Sequence, residues 1–434
     1  MSTPASWNNL RHWSATIDNN DLAWLHIQTE GKSVNVLTHG VMDELAIITD
    51  GLETINNLKG VALLSGKPGG FVYGADIHEF ETLKTAKDVA NHMELVHNLF
   101  NRIQNLDAPT CVGIDGIAVG GGLEIALPFD HLFVTASPKT KLGFPEVTLG
   151  IMPGYGGSGR AYGRVGTKTV LDMMVSGRPL GSHEAVNAGL ADVVVETDKN
   201  LIPNMRDWML NCNGDKPTRT QCESKANKEA VAEAKETYLK RARADHTPAP
   251  FEIIDHVMTY GHDAKAMSAG EVSVFPNLMI GRASKNLRRV YYLTDAVRKS
   301  ARGDSRIERL HVVGAGTMGG DIAAVGAMAG LNVTLTDMNE AAIEGAISRA
   351  KKLFERRLKQ ADKVTAALGR LRADTDGSGA IDADLVIEAV AEKLEVKQAV
   401  FKNLETVCKD GAILATNTSA IPLEDIADVL KSPE

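Results

Sequence analysis

Residues 310–319 read LHVVGAGTMG, an apolar run that passes directly into Gly314-x-Gly316-x-x-Gly319. Glycines at that spacing predict a strand that turns sharply into a helix, with bare backbone at the turn where a ligand can come close. The next run, DIAAVGAMAG, is helix-like, and NVTLTD gives a second strand ending at Asp337, 18 residues past the last glycine. Strand, glycine turn, helix, strand and acid together point to a parallel α/β sheet. A dinucleotide pyrophosphate would sit on the helix N-terminus, beside Met318, and Asp337 would take the ribose hydroxyls. An acid rather than an arginine at 337 favours NAD over NADP.

The chain ahead of this motif has a different texture. Asp21–Ile27 (DLAWLHI) alternates like a strand, and Gly60–Ser65 and Thr110–Ile114 are short apolar runs bounded by turn residues. Between them Val89, Met93, Val96, Leu99, Phe100, Ile103 and Leu106 recur at helical spacing over residues 86–106. Ser182–Leu190 predicts a short helix with Ser182 as N-cap. From about Thr197 the composition turns helical, with a Lys/Glu/Ala-rich stretch over 223–243 and a second helix over 265–301. Arg302, Gly303 and Asp304 form the expected linker. The predicted partition is therefore 1–196, 197–304 and 305–434.

Composition narrows the partners. A formal net charge of -8 gives no electrostatic help toward nucleic acid or an anionic membrane. The four cysteines, at 111, 212, 222 and 408, include no CxxC pair, so neither a zinc knuckle nor a disulfide scaffold is expected. That sparsity fits a reducing compartment such as the cytoplasm. No transmembrane segment is expected, since apolar runs of about 18 residues are missing.

A second constellation carries chemistry. Gly120, Gly121, Gly122 and Leu123 lead into Glu124 where an apolar strand gives way to a helix start, and Glu146 follows 22 residues later in LGFPEVTLGIMPGYGG. Free N–H groups at such a turn can hold a developing oxyanion, and two carboxylates can pass protons on either side of a substrate. Alone, a GGG run is a tight turn and a glutamate a solvated face. The run Gly154, Gly156, Gly157, Gly159, Arg160 lacks the GK[ST] ending of a phosphate loop, so a close turn is the better account.

In combination, residues 117–160 resemble the signature of the crotonase (enoyl-CoA hydratase) family. Phe71–Ile77 (FVYGADI) is similar to that family's first oxyanion loop and Lys32–Leu37 (KSVNVL) to its early CoA-side segment. The resemblance implies a spiral ββα fold and an acyl-CoA thioester substrate. It also implies an oxyanion hole from the N–H groups of Ala75 and Gly121, with a water held between Glu124 and Glu146. Hydration of a 2-enoyl-CoA is the expected reaction, with Glu124 activating the water and Glu146 supplying the α-proton, or the reverse. Glu124 and Glu146 lie slightly further apart in sequence than is usual there, an excess expected in the Ser137–Thr140 turn.

From Ile307 onward the chain resembles the 3-hydroxyacyl-CoA dehydrogenase family through LVIEAVAEKLEVK (385–397) and ATNTSAIP (415–422). By position, Ala391, Glu392 and Lys397 would line the NAD site, with Asn417 and Ser419 near the nicotinamide. The catalytic histidine of that family lies downstream of the NTS motif, so the dehydrogenase portion is expected to be incomplete and inactive in hydride transfer. A C-terminally truncated piece of a longer protein is the expectation. Asp374–Asp382 (DTDGSGAID) imitates the start of a calcium loop but carries Leu385 where the bidentate glutamate belongs, so a polar turn and no metal is the reading.

The order hydratase then dehydrogenase resembles the α subunits of fatty-acid β-oxidation complexes. That implies a thiolase β-subunit partner and a substrate-side role for Asp295. Two other readings stay open: an enoyl-CoA isomerase or thioester hydrolase on the same fold, and a non-catalytic CoA- and NAD-binding module.

Overall fold

The computed structural model describes residues 3–68, 70–212, 226–240, 242–300 and 307–433. Two compact α/β units divide the chain, Met1–Arg298 and Lys299–Glu434. The helical extension expected as a separate segment therefore belongs, through residue 298, to the first unit. The Arg302–Asp304 linker, Cys222 and the front of the Lys/Glu-rich stretch lie outside the described residues.

The first unit carries strands β1 (Trp13–Ile17), β2 (Leu22–Ile27), β3 (Gly60–Ser65), β4 (Thr110–Ile114), β5 (Ile117–Val119), β6 (His131–Thr135), β7 (Lys141–Gly143), β8 (Leu180–Gly181) and β9 (Val193–Val195). They form a six-stranded sheet in the order β1-β2-β3-β4-β6-β9 and a three-stranded sheet β5-β7-β8. The β1–β2 pair is antiparallel, and every other pairing in the large sheet is parallel. The alternation in β2 does not mark a half-solvated strand. Ala23, Leu25 and Ile27 face the main core, while Leu22 and Trp24 pack with Met205 and Met209 of the helix Leu201–Asn211. That helix covers the second face, so the strand is buried on both sides, as parallel sheets require.

Helix Ala86–Gln104 forms where the period predicts it, started by a capping box between Thr85 and Asp88. Ser182 is not the N-cap of the next short helix. Gly181 caps Ser182–Asn187, and the Ser182 hydroxyl donates instead to the Thr135 carbonyl of β6 at 2.5 Å. The long helix expected over 265–301 is two helices, Ala264–Ile280 and Arg282–Ser300, because Gly281 adopts an extended backbone between them. Ala264–Ile280 packs against helices Gly157–Ser176, Ala86–Gln104 and Ala249–Tyr260.

Asn35 joins the loops above the sheet. Its Oδ1 accepts from Thr29 N–H, and its Nδ2 donates to the carbonyls of Ile27 and Phe71 and to Ser65 Oγ, each at 3.0 Å. The KSVNVL segment is thereby tied to the loop that follows β3.

The second unit is a parallel sheet of β10 (Arg309–Val313), β11 (Asn332–Thr336), β12 (Leu371–Ala373), β13 (Leu385–Glu388) and β14 (Ile413–Thr416), in the order β12-β11-β10-β13-β14. That is the doubly wound order, with its switch point between β10 and β13. The polar turn at 374–382 is closed by Asp374, which accepts from Gly379 N–H, and β13 follows it. Among the described residues no cluster of three His, Cys, Asp or Glu is placed to hold a metal ion, and no helix is long and apolar enough to cross a membrane.

Replacing Asn35 by alanine strands several buried backbone groups at once. The expected cost is about 1–3 kcal/mol for the first unit, read as a lower urea midpoint with unchanged far-UV circular dichroism.

Candidate active site

Two backbone segments of the first unit converge. Leu37 N–H donates to Gly74 O at 2.9 Å and Asp76 N–H to Leu37 O at 2.8 Å, which fixes Ala75 between them. Across from it β5 ends at Gly120, whose φ of 55° lets the chain turn into the short helix Gly121–Glu124. Among the described residues the N–H groups of Ala75 and Gly121 have no internal acceptor, although those of Asp76 and Gly120 beside them are bonded. A Cβ on Gly121 would lie 3.1 Å from Ala75 N. The two donors therefore share one small space, and any side chain at 121 would fill it.

The glycine turn delivers Glu124 into the core, where it is 3% exposed. Its Oε1 accepts from Tyr155 N–H at 2.7 Å and Gly157 N–H at 3.0 Å. Glu146 sits on the 3-10 turn Pro145–Leu149, with its Oε1 3.1 Å from where a Gly120 Cβ would stand. The residue as a whole is only partly covered, but its Oε2 is enclosed and has no hydrogen-bond partner. Both carboxyls are held well above the ordinary range. Burial is the main cause for each, reinforced at Glu124 by the charge of Glu271 and at Glu146 by that of Glu124.

Glu271 is the residue that sequence reasoning missed. It reaches in from helix Ala264–Ile280 and is wholly buried. Its Oε2 accepts from Gly156 N–H at 2.6 Å, and its Oε1 accepts from Ser158 N–H at 2.8 Å and Ser158 O–H at 2.5 Å. His97 Nε2 lies 3.3 Å from Oε2 and 2.9 Å from Gly154 O, and His256 Nε2 donates to Ser158 Oγ at 3.2 Å. Burial pushes the His97 imidazolium down, but contact with Glu271, the charge of that acid, the Gly154 carbonyl and the charge of Glu124 together outweigh it and hold the group above its usual range. The signal was present in the sequence: Glu271 is the only charged residue between Lys265 and Arg282. The glycine-rich run is thus no phosphate cradle, because its N–H groups are already occupied by two protein carboxylates.

Asp295 lies half-buried on helix Arg282–Ser300, three and seven positions beyond Tyr292 and Arg288. Those spacings put all three on one face. Tyr292 O–H donates to Ile77 O at 2.8 Å and its ring stacks on His78, while Arg288 Nε donates to Glu81 Oε1 at 2.9 Å. That face clamps the loop carrying Ala75.

In the second unit the expected cofactor residues gather at the C-terminal ends of β10, β11, β13 and β14. Gly314, with φ of 106°, follows β10, and a Cβ there would meet Ala389 O at 2.6 Å. A Cβ on Gly319 would meet Gly314 O at 1.8 Å. Gly316 differs: its φ is -60° and nothing lies within 4 Å of its Cβ position. Folding does not require glycine there, whereas a pyrophosphate laid against helix Thr317–Met328 does, so the residues fit NAD. Met318 is exposed in the first turn of that helix. Asp337 Oδ2 accepts from Ala315 N–H at 2.7 Å, bringing its carboxylate to the glycine loop.

The loops after β13 and β14 interlock. Glu392, just after Ala391, accepts from Ser419 N–H at 2.9 Å and from the Thr418 hydroxyl, which together with Lys397 hold its carboxyl down at about 2. Asn417 N–H donates to Glu388 O at 2.8 Å. Lys397 is 1% exposed, and its ammonium contacts Glu388 at 2.9 Å and Glu392 at 3.2 Å. It therefore organises the rim of the crevice through these two acids.

Two expectations follow. A carboxyl whose folded pKa is raised withdraws stability as pH climbs from its unfolded value toward its folded one, and none below it. Glu146→Gln escapes that loss. Its melting temperature should match the parent at about pH 4 and exceed it by a few degrees at about pH 8, since each tenfold change in proton affinity is worth ~1.4 kcal/mol and each kcal/mol moves the midpoint by ~2–4 °C. In the second unit, Gly316→Val should fold normally yet lose NAD binding by at least about tenfold in calorimetric titration, since the side chain fills the space for the pyrophosphate.

Residues 19–250 match the family model for enoyl-CoA hydratase/isomerase, and residues 309–434 match that for the NAD binding domain of 3-hydroxyacyl-CoA dehydrogenase. The fatty acid oxidation complex subunit alpha of Shewanella halifaxensis (strain HAW-EB4) is 32% identical over 435 positions, covering 95% of this chain and 61% of that protein. The protein of the same name from Shewanella baltica (strain OS185) is 31% identical over 431 positions, with the same coverage. The chain thus spans about three fifths of the length of these curated relatives. A carnitinyl-CoA dehydratase from Mycobacterium thermoresistibile superimposes with a TM-score of 0.52 at 18% identity, over 65% of this chain and 90% of that one, which shows a shared fold. The chain belongs to the enoyl-CoA hydratase/isomerase family and joins to it, in one polypeptide, the NAD binding domain of 3-hydroxyacyl-CoA dehydrogenase.

Proposed function

We propose that the first unit hydrates 2-enoyl-CoA thioesters to 3-hydroxyacyl-CoA in fatty-acid β-oxidation. The observation that carries this reading is the pairing of two unengaged N–H donors with two enclosed acids, one of which keeps an oxygen without a partner. The thioester carbonyl accepts from Ala75 and Gly121 N–H. Both donors strengthen as enolate charge develops on that oxygen, so the transition state gains more than the substrate. A water lies between the acids. One carboxylate takes its proton as the oxygen bonds to the β-carbon, and the other gives its proton to the α-carbon. Both act from one side, so the addition is syn. The two backbone N–H groups on Glu124 favour its ionised form, while Glu146 Oε2 has no donor. That contrast makes Glu124 the base and Glu146 the acid.

The wider assignments belong to the same proposal. The second unit binds NAD on the Gly314–Gly319 loop and, in a longer protein, serves oxidation of the 3-hydroxyacyl product. Asp295 is a substrate-side residue of the hydratase pocket, supported by its place on the helix face that clamps the oxyanion loop. A thiolase partner is suggested by the relatives' naming as subunits of a complex. A cytoplasmic setting is consistent with the unbridged thiols of Cys111 and Cys408.

The test is the loss of conjugated enoyl-thioester absorbance on mixing the protein with a short 2-enoyl-CoA. The parent should consume the enoyl-thioester. Glu124→Gln and Glu146→Gln should each lose about 10²–10⁴-fold in kcat. Full double-bond migration surviving in one variant would move the assignment to an isomerase. No consumption by folded protein would leave a binding module.

A further inference from the structure

The four successive N–H groups of residues 155–158 alternate between two carboxylates. Tyr155 and Gly157 donate to Glu124, and Gly156 and Ser158 donate to Glu271. Such a run of donors opens helix Gly157–Ser176, whose first N–H groups lack intrahelical partners. One acid comes from the glycine turn after β5 and the other from helix Ala264–Ile280, beyond the stretch that matches the hydratase family. All the partners of Glu271 are donors: two N–H groups, one hydroxyl and the His97 ring N–H. That is the bonding pattern of a carboxylate, since a neutral acid would have to donate to one of them.

From this geometry we infer that Glu271, with His97 behind it, is a positioning residue for the hydration site: it shares the 155–158 donors with Glu124, fixes that carboxyl and governs how readily it takes a proton from water. The inference rests on the hydratase reading of Glu124. Physically, two effects oppose each other at Glu124. The N–H groups it accepts from favour its charge, while a second carboxylate on the alternate N–H groups disfavours it. The outcome is a carboxyl whose ionised form binds a proton strongly, which is what abstraction from water needs. His97 tunes the balance, because its positive charge offsets that of Glu271.

Other groups face this pair. Glu146 lies close enough for the charges of Glu124 and Glu271 to act on it, and Tyr155 contributes its phenol, hydrogen-bonded to His92 at 3.0 Å. His256 approaches through Ser158. Arg160, from helix Gly157–Ser176, donates to Gln104, Asn101 and Tyr155 O rather than to a carboxylate. None of them touches both acids of the alternating run as the 155–158 backbone does. His97 alone of the histidines reaches Glu271 directly.

The test compares pH profiles of kcat for enoyl-CoA hydration in the full chain. Glu271→Gln removes the negative neighbour, so Glu124 gives up its proton more easily and the acidic limb should move about one unit toward lower pH. His97→Gln removes the positive neighbour and should move the same limb toward higher pH. KM should change little in either. Opposite displacements support the inference, because a merely structural role would lower kcat uniformly without moving the limb in two directions. An unmoved limb, or displacement of both the same way, would overturn it. If Glu271→Gln does not fold, His97→Gln decides alone: movement to higher pH supports the inference and none refutes it. Should the parent show no hydration, the hydratase reading fails separately. Titration of the Glu124 carboxyl by NMR with isotope-labelled glutamate, assigned by its absence in Glu124→Gln, then reports the same two displacements directly.

Discussion

The architecture of the first unit turns on a conflict between burial and charge. Carboxylates are costly to remove from water unless hydrogen bonds replace the solvent, yet three of them crowd the start of helix Gly157–Ser176. Backbone N–H groups that a helix start cannot satisfy internally supply what two of the acids need. The third, Glu146, goes without on one oxygen. That inequality sets the surroundings of Glu146 apart from those of the other two acids. Helix Ala86–Gln104 contributes His97, helix Ala264–Ile280 contributes Glu271, and the oxyanion loop is held down by Asn35 beneath and Tyr292 above.

The same physical device appears in the second unit in another form. There the N–H groups at the start of helix Thr317–Met328 face an open space beside Gly316 rather than a protein acid. One unit fills its helix start with its own carboxylates, Glu124 and Glu271, and leaves the N–H groups of Ala75 and Gly121 without an internal acceptor. The other leaves the space beside Gly316 open. The chemistry each unit can perform follows from which N–H groups are left without a partner.

Much of this was legible in the sequence because the signals were local. The strands Gly60–Ser65 and Thr110–Ile114, the helix from Ala86, and the strand–glycine–helix unit at 309–328 follow from runs and periods of a few residues. The carboxylates Glu124 and Glu146 were legible because they flank glycine turns with a recognisable pattern. What failed to show was long-range. The covering of β2 by Leu201–Asn211 depends on a helix far along the chain, so no local run reports that the strand is buried on both faces. Ser182 carried the look of an N-cap, but β6 offered its hydroxyl a better acceptor. Glu271 could be noticed as a lone acid in an apolar helix. Its meeting with residues 155–158 is fixed by tertiary packing that no spacing reports.

The position of Glu271 has a consequence for how this chain can be divided. A protein engineer isolating the hydratase would cut where the family likeness fades, near residue 250. Such an excision would remove the carboxylate that occupies Gly156 and Ser158, together with the helix that closes over them. The smallest portable catalyst within this polypeptide therefore extends at least through the helix ending at Ile280, and through Ser300 if the Tyr292 clamp on the oxyanion loop is to be kept.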